Sequence, residues 1–373
     1  MKILQLTSHY FPNIGGVETH LTDLVKELSR SHQVFVLTYR PLTTKTKYLI
    51  WEQTKNLKIL RLPWFPGLFN KLSVYPVLEF LYLLPGLFII LPIVLIIFKP
   101  EVIHSHGLVA GFVGAFWGKL FGIRTVISTH SIYHFPKNGV YRLFAKLIFG
   151  ANDQVLCLSN QSVQEIQSLG VVNVSRFTYW IDLDKFKPIS QTVAKKKLNW
   201  NSKFSVLFVG RLVKEKGILV LDEAALELKK SDISVYVAGN GPEFENIKNC
   251  ILLGPVSQDK LPTYYNAADL LIVPSIHEEG FGRVILESLA CGTPVIGSNR
   301  GAIPEAMDES VGELIKISTK NIVKSVLGLR NNKSVYNKIQ SNTREFTLNR
   351  YGVGNLSFIA SFYNDRIISH EAQ

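Results

Sequence analysis

Cysteine is scarce in this chain: Cys157, Cys250 and Cys291 are the three in 373 residues. Each lies in an apolar or helical context. Three such residues make neither a disulfide framework nor a thiolate metal cluster, so the expectation is buried thiols in a reducing compartment. Charge is sparse too, at 19% of residues, and acids are the scarcer sign, 29 against 41 bases. No low-complexity tract argues for disorder in a chain that is 47% hydrophobic. Zinc-finger spacing, an RNP-type segment and interleaved basic and aromatic residues are all missing, which makes nucleic acid a poor partner despite the net charge of +12. The G-x-G-x-x-G dinucleotide fingerprint is missing as well. No H-x-x-x-H or histidine–carboxylate set has metal-ligand spacing, so no metal is expected.

What is present starts with length. At 373 residues the chain outgrows one hydrophobic core and suits two domains. The positive charge is uneven: residues 1–188 carry 19 Lys or Arg against 10 Asp or Glu, net +9, and the remainder 22 against 19, net +3. A basic first half suits a phosphorylated acceptor or an anionic membrane surface. That half also holds LEFLYLLPGLFIILPIVLIIF (78–98), 21 residues with one charge, long enough to cross a bilayer. Pro85, Gly86 and Pro92 interrupt it, and a single crossing would put strands of one sheet on opposite sides of the membrane. The expectation is therefore a buried or surface-docked helix pair. MKILQLTS at the start alternates like a strand and reads as part of the fold, not as a signal peptide.

Periodicity gives strand, loop and helix in repetition. In the first half KILQLTS (2–8), QVFVLTY (33–39), KILRLP (58–63), EVIHSHG (101–107), RTVISTH (124–130) and DQVLCLS (153–159) read as strands. In the second, SVLFVGR (205–211), SVYVAGN (234–240), CILLGPV (250–256), DLLIVPS (269–275) and PVIGS (294–298) do. Such alternation predicts two tandem α/β, doubly wound Rossmann-like domains with parallel sheets covered by helices. The boundaries expected are 1–187 for the first domain, 188–203 for a polar, basic linker and 204–350 for the second, with 351–373 beyond it. Ligands of such sheets sit beyond the carboxyl ends of strands, so chemistry is sought in those loops.

Four loops stand out. Gly15-Gly16 opens a helix after the first strand, where a backbone free of side chains and a helix N-terminus favour an anion, although a plain turn has the same look. GRLVKEKG (210–217) puts Arg211 and Lys216 between two glycines at a strand exit, a place where cations can neutralise a diphosphate. HEEGFGRVILESLACGTPVIG (277–297) places Glu279 at a helix mouth and Glu287 further along the same helix, about 7–8 Å beyond Gly282 at about 1.5 Å per residue. Taken alone, Glu279 is a helix cap. Glu287 sits between Leu286 and Leu289, where a buried carboxylate needs a ligand or an ion pair. Two acceptors on either side of an anion-binding turn suit a nucleotide sugar, with hydroxyls at both ends and phosphates between. His104, His106 and His130 end strands, and His130 is the strongest of them as a catalytic candidate, His104 more simply a packing residue.

Together these stretches resemble the retaining GT-B glycosyltransferases of family 4. GGVE (15–18), HSHG (104–107), THS (129–131), VGRLVKEKG (209–217), VAGNGPE (237–243), LLGPV (252–256), YYNAADLLIVPS (264–275), EGFGRVILESLACGTPVI (279–296) and GAIPE (301–305) occur in the family's order over nearly the whole chain. The resemblance implies two domains facing across a cleft, a C-terminal helix over 351–373 that crosses back to the first domain, and transfer of a hexose or N-acetylhexosamine from a UDP- or GDP-linked sugar, with no bound metal or cofactor. It implies that His130 and Glu279 are catalytic, and that Gly15, Gly16, Arg211, Lys216, Val256, Gly280, Phe281, Gly282 and Glu287 bind the donor, Glu287 through the ribose. His106 and Tyr133 are candidates on the acceptor side. THS lacks the aspartate that follows the histidine in many members. It is similar to the loop of the subfamily that starts glycosylphosphatidylinositol synthesis, which points to N-acetylglucosamine and a lipid acceptor. SRFTYWIDLDKF (175–186) and GAIPE also depart from the common turns.

A cytoplasmic enzyme resting on the membrane follows as the expected location, its first domain meeting anionic headgroups and a lipid-linked or glycan acceptor. A nucleotide-sugar epimerase, a glycan phosphorylase and a non-catalytic membrane-associated subunit are alternatives compatible with the same shape.

Overall fold

The computed structural model describes residues 1–13, 15–42, 46–72, 75–201 and 203–364. Contacts divide the chain into two units, one made of Met1–Thr178 and the chain from Asn355 on, the other of Tyr179–Gly354.

The first unit runs β1 (Lys2–Thr7), α1 (Gly16–Leu28), β2 (Gln33–Tyr39), β3 (Trp51–Gln53), β4 (Leu57–Leu62), α2 (Pro66–Leu72), α3 (Pro76–Phe98), β5 (Val102–His106), α4 (Leu108–Phe121), β6 (Arg124–Thr129), α5 (Val140–Ala151), β7 (Gln154–Cys157), α6 (Asn160–Gln167) and β8 (Val174–Arg176). Its sheet has the order β3-β4-β2-β1-β5-β6-β7-β8. Every pairing is parallel except β3 with β4. The central strands are buried at every position after the first residue of β1 and β6, which is why they read as apolar runs instead of alternating. Helix α1 buries the His20, Leu21, Leu24, Val25 and Leu28 face.

The second unit runs α7 (Gln191–Leu198), β9 (Phe204–Val209), α8 (Ile218–Lys229), β10 (Ile233–Ala238), β11 (Ile251–Gly254), α9 (Leu261–Ala267), β12 (Leu270–Val273), α10 (Arg283–Ala290), β13 (Val295–Ser298), α11 (Ile303–Ala306), β14 (Gly312–Ile315), α12 (Thr319–Asn331) and α13 (Lys333–Arg350). Its six strands, ordered β11-β10-β9-β12-β13-β14, are all parallel. A final helix, α14 (Gly354–Ser361), leads the chain back into the first unit's group of residues.

Two expectations are corrected. Residues 188–203 hold α7 instead of a bare linker: its Gln191 and Lys195 bond the Asp269 carboxylate at 3.1 and 2.9 Å, and the division between units falls at 178/179 and 354/355. A lysine-rich face hid the helix because its apolar content is small. The apolar stretch is one helix, α3, not a pair. Prolines break a ladder by withholding an N–H and crowding the preceding turn, but here neighbouring side chains restore the lost bonds. The Tyr39 hydroxyl inserts beside Pro85, accepting from the Leu87 N–H at 3.0 Å and donating to the Leu83 carbonyl. Trp64 donates to the Tyr82 carbonyl at 3.1 Å. The Phe88 carbonyl, which Pro92 cannot serve, accepts from Trp117 of α4 at 3.0 Å. Gly86 makes room: a Cβ there would lie 2.6 Å from the Tyr39 oxygen.

Helix α3 buries Leu83, Leu87, Leu91, Val94, Leu95 and Phe98 against β1, β2 and α4, each large side chain stabilising by roughly 1.5–3 kcal/mol. Its other face leaves Leu81, Ile89, Ile93, Ile96 and Ile97 at least half exposed. Residues of α4 (Phe116, Leu120) and α5 (Val140, Leu143, Leu147) are likewise exposed.

Candidate active site

In the second unit the signature loops gather at the carboxyl ends of the strands: 210–217 after β9, Val256 after β11, 274–282 after β12 and 299–302 after β13. Two glycines allow them to touch. At Gly217 φ is +69°, and a Cβ would lie 1.9 Å from the Pro274 carbonyl oxygen; at Gly301 φ is +57°, and a Cβ would lie 2.6 Å from the Glu279 nitrogen. Both positions are closed to other side chains by strain and by contact. The Ala302 N–H donates to the Glu279 carbonyl at 2.9 Å, so GAIPE holds the backbone of the first glutamate.

This packing brings Lys216 and Glu279 together. The ammonium and the Ser275 hydroxyl both donate to Glu279 Oε1. Burial alone would raise the Glu279 carboxyl, but the Lys216 charge and the two hydrogen bonds outweigh it and hold the group below its ordinary value. Arg211 is exposed at the strand exit, and Val256 and Gly280 are partly buried. Gly282, at φ +84°, turns the chain into α10. The Phe281 ring is buried edge-on to Tyr179 and Tyr351, at 5.7 and 5.9 Å between centroids, and so anchors the turn from beneath.

Glu287 is 4% exposed and has side-chain partners in place. Its Oε1 accepts from Arg283 Nε at 3.2 Å and its Oε2 from the Tyr265 hydroxyl at 2.8 Å. The two glutamates thus face different partners.

In the first unit Gly15 caps α1 and Gly16 begins it, with the Glu18 carboxylate folded against Gly15. His104 and His106 end β5 and His130 follows β6. Parallel register sets Gln5 beside His104 and His106 beside Ser128, and the period of two puts all four side chains on one sheet face. His106 bonds His130 at 3.1 Å and Gln5 at 2.8 Å. His104 bonds Ser128 and Tyr363, each at 2.7 Å. Burial pushes His104 and His130 down to about 3 and His106 well below its ordinary value, so the imidazoles are neutral at pH 7. The Tyr133 ring stacks on Phe135 at 5.2 Å and packs on Phe149. The Glu165 carboxylate holds its loop by accepting from the Tyr133 and Phe135 N–H groups at 2.8 and 3.0 Å.

Sequence reasoning missed Ser275, Gln5, Ser128, Glu165 and Tyr363. A polar Gln5 inside the apolar strand KILQLT was a usable signal; nothing local marked Tyr363, 358 residues away from it.

The fold has close counterparts among solved structures. Sucrose-phosphate synthase from Thermosynechococcus elongatus superposes with a TM-score of 0.82 at 20% identity, covering 97% of this chain and 98% of that one. Anabaena HepE in complex with UDP-glucose does so at 0.76 and 19%, with 97% and 98% covered. In sequence, the phosphatidylinositol N-acetylglucosaminyltransferase GPI3 subunit of Saccharomyces cerevisiae is 26% identical over 358 residues, 87% of this chain and 76% of that protein. A glycosyltransferase of Methanocaldococcus jannaschii is 26% identical over 366 residues, 93% of each. The family model for Glycosyltransferase Family 4 matches residues 14–185 and that for Glycosyl transferases group 1 matches 190–346. With two Rossmann-like units of GT-B type and both halves matched in order, the chain belongs to the group 1 glycosyltransferases.

Proposed function

We propose that this glycosyltransferase is a retaining, metal-independent enzyme. It moves a hexose or N-acetylhexosamine from a UDP- or GDP-linked sugar to a hydroxyl of a lipid-linked or glycan acceptor. The observation that carries the reading is Lys216 on Glu279, a cation and a hydroxyl acceptor locked side by side at the end of a parallel sheet. Lys216 and Arg211 offset the charge that grows on the leaving diphosphate, in the role that other glycosyltransferases give to a metal. Glu279 and the Gly280–Gly282 backbone take the donor sugar and phosphate, Glu287 the ribose, and Val256 the base. Gly15 and Gly16 add backbone N–H groups, and His130, as a neutral ring, takes a donor-sugar hydroxyl.

Transfer proceeds on one face of the sugar. The anomeric carbon–oxygen bond to phosphate breaks with its electron pair going to the phosphate oxygen. The acceptor oxygen bonds the same face of that carbon, and its proton passes to the leaving phosphate, so no enzymic nucleophile is required. His106 and Tyr133 lie on the acceptor side of this scheme.

A place at the cytoplasmic face of the membrane is supported by the uncovered apolar faces of α3, α4 and α5, which pack in that order. Lys119, Arg142 and Lys146 accompany them with Glu79 as the one acid on these helices, a balance that favours anionic headgroups. The GPI3 relative and the THS loop favour N-acetylglucosamine and a lipid acceptor, as in cell-surface or lipid-linked glycan synthesis. The test is thermal shift against a panel of nucleotide sugars, followed by turnover of the best donor with a membrane lipid extract. Donor consumption that needs the extract, and that is lost in Glu279→Ala and His130→Ala, is the expected result. Consumption at full rate without acceptor would replace this reading by an epimerase.

A further inference from the structure

The loop after β6 carries His130 and Tyr133, and a carboxylate from the neighbouring loop shapes it. β6 and β7 pair in parallel with Thr129 opposite Cys157, so the segments that leave them run side by side. The second enters α6, where Ser159 caps the helix by accepting from the Ser162 N–H at 3.1 Å. Ser162 and Glu165, three positions apart, then share one face of that helix. Both reach the β6 loop. The Glu165 oxygens accept from the Tyr133 and Phe135 N–H groups, one each, at 2.8 and 3.0 Å, and the Ser162 hydroxyl stands 3.5 Å from the Ser131 carbonyl.

Between the two bonded N–H groups lies His134 at φ +53°, in the left-handed region that a residue with a Cβ enters at a cost. A left-handed residue in such a turn aims the flanking N–H groups to one side, the arrangement in which a backbone takes hold of an anion. Here the anion belongs to the chain itself, and both bonds to it are charge-assisted. The same bend sets the Tyr133 and Phe135 rings nearly parallel, 5.2 Å apart at 15°, with Phe149 of α5 against them at 5.9 and 6.3 Å. From Tyr133 the hold passes back along the loop. Its hydroxyl hydrogen-bonds the Thr129 side chain, and the Thr129 hydroxyl donates to the Ser131 carbonyl at 3.0 Å. Residues 129 and 131, on either side of His130, are thus tied to each other and to the ring that Glu165 seats.

We infer that Glu165 is a positioning residue for transfer: its carboxylate, seated in the 133–135 bend, fixes the loop that presents His130 and Tyr133. The inference rests on the parts proposed above for those two residues. It adds that the acceptor side is set from α6, a helix outside every signature motif of the sequence.

The experiment compares Glu165→Ala and Glu165→Gln with the wild type in the full-length protein, with circular dichroism to follow the fold. In ligand-free protein labelled with nitrogen-15 at tyrosine and phenylalanine, the Tyr133 and Phe135 amide signals are assigned by Tyr133→Phe and Phe135→Leu. Both should move upfield in Glu165→Ala, because an N–H that loses a carboxylate partner loses its deshielding. Unmoved signals in the folded variant overturn the inference. This readout needs no substrate and stands apart from the transferase reading. With UDP-N-acetylglucosamine and membrane lipid extract as the probe, Glu165→Ala should raise the apparent KM for the extract and lower kcat, each roughly three- to tenfold, while UDP affinity in calorimetry changes by less than about twofold. Glu165→Gln, which keeps one accepting oxygen, should recover part of both losses, and it carries the same comparison where Glu165→Ala loses its fold. Tyr39→Phe, a destabilising change at α3 in the same unit, should leave these constants at wild-type values and so separates positioning from general loss of stability. Wild-type kinetics in Glu165→Ala, an equal fall in its UDP affinity, or the same kinetic loss in Tyr39→Phe overturns the inference.

Discussion

Lys216 and Glu279 set the terms at the scale of single residues. Replacing Lys216 by Met leaves a nine-tenths buried carboxylate with the Ser275 hydroxyl as its remaining side-chain donor, and should cost roughly 2 kcal/mol in urea unfolding as well as nucleotide-sugar affinity in calorimetry. Because the Glu279 carboxyl is held below its ordinary value, the stability it lends is present above the usual carboxyl range and lost as pH falls through the lower folded value. In Lys216→Met burial pushes that carboxyl back up, so the acid-side loss should shrink or reverse. His104 works over a different window. Its folded value near 3 lies below the ordinary 6.5, so the unfolded chain binds the proton first, and stability is full above 6.5 and declines as pH falls from 6.5 towards 3. Between pH 6.5 and about pH 5 that is about 2 kcal/mol for this ring, seen as a fall in urea midpoint that His104→Gln should shrink. The sequence showed both glutamates and the cationic loop because each carries its own glycine punctuation. It left the partner of Glu287 open, since Tyr265 reaches it from a helix 22 residues upstream.

Among the elements, α3 best separates what a sequence shows from what packing decides. Its composition announced a long apolar segment, but two prolines and a glycine read as breaks, and only tertiary partners reverse that reading. Tyr39→Phe removes the hydroxyl that serves both Leu83 and Leu87 and should cost about 1–3 kcal/mol. Gly86→Ala, which pushes the same hydroxyl away, should destabilise comparably. The pair together should cost much less than the sum, because both changes break one contact; urea titration of the three proteins measures this. The long parallel strands were legible from their apolar runs. β3 and β8 were not, since three residues are too few for a pattern to repeat, and β14 was not because Gly312 and Glu313 leave it without an apolar run. α7 escaped for the opposite reason, polar residues dominating a helix that is held to the sheet by hydrogen bonds from its side chains.

For the whole molecule, the two-unit α/β plan was legible because strand and helix periods alternate along the chain, whereas the return of the last stretch to the first unit was legible from the family resemblance alone, because that stretch carries no periodic signal of its own. The apolar side of that unit yields a direct prediction. Ile93→Glu with Ile97→Glu places charges on the exposed face of α3 without touching its buried one, and should abolish flotation with anionic vesicles at low salt. The fold, followed by circular dichroism, should remain, and Glu279→Ala should float as the wild type does.

The discontinuity of the first unit has a consequence in time. Residues 1–178 leave the ribosome well before Tyr363 exists, and at ordinary rates of synthesis the intervening 185 residues take roughly 10–40 s. During that interval Gln5 and His104 wait for the hydroxyl that completes their hydrogen bonds. A nascent chain that has not yet reached Tyr363, or one cut short before it, therefore carries the GGVE and HSHG signatures intact but an unfinished histidine cluster.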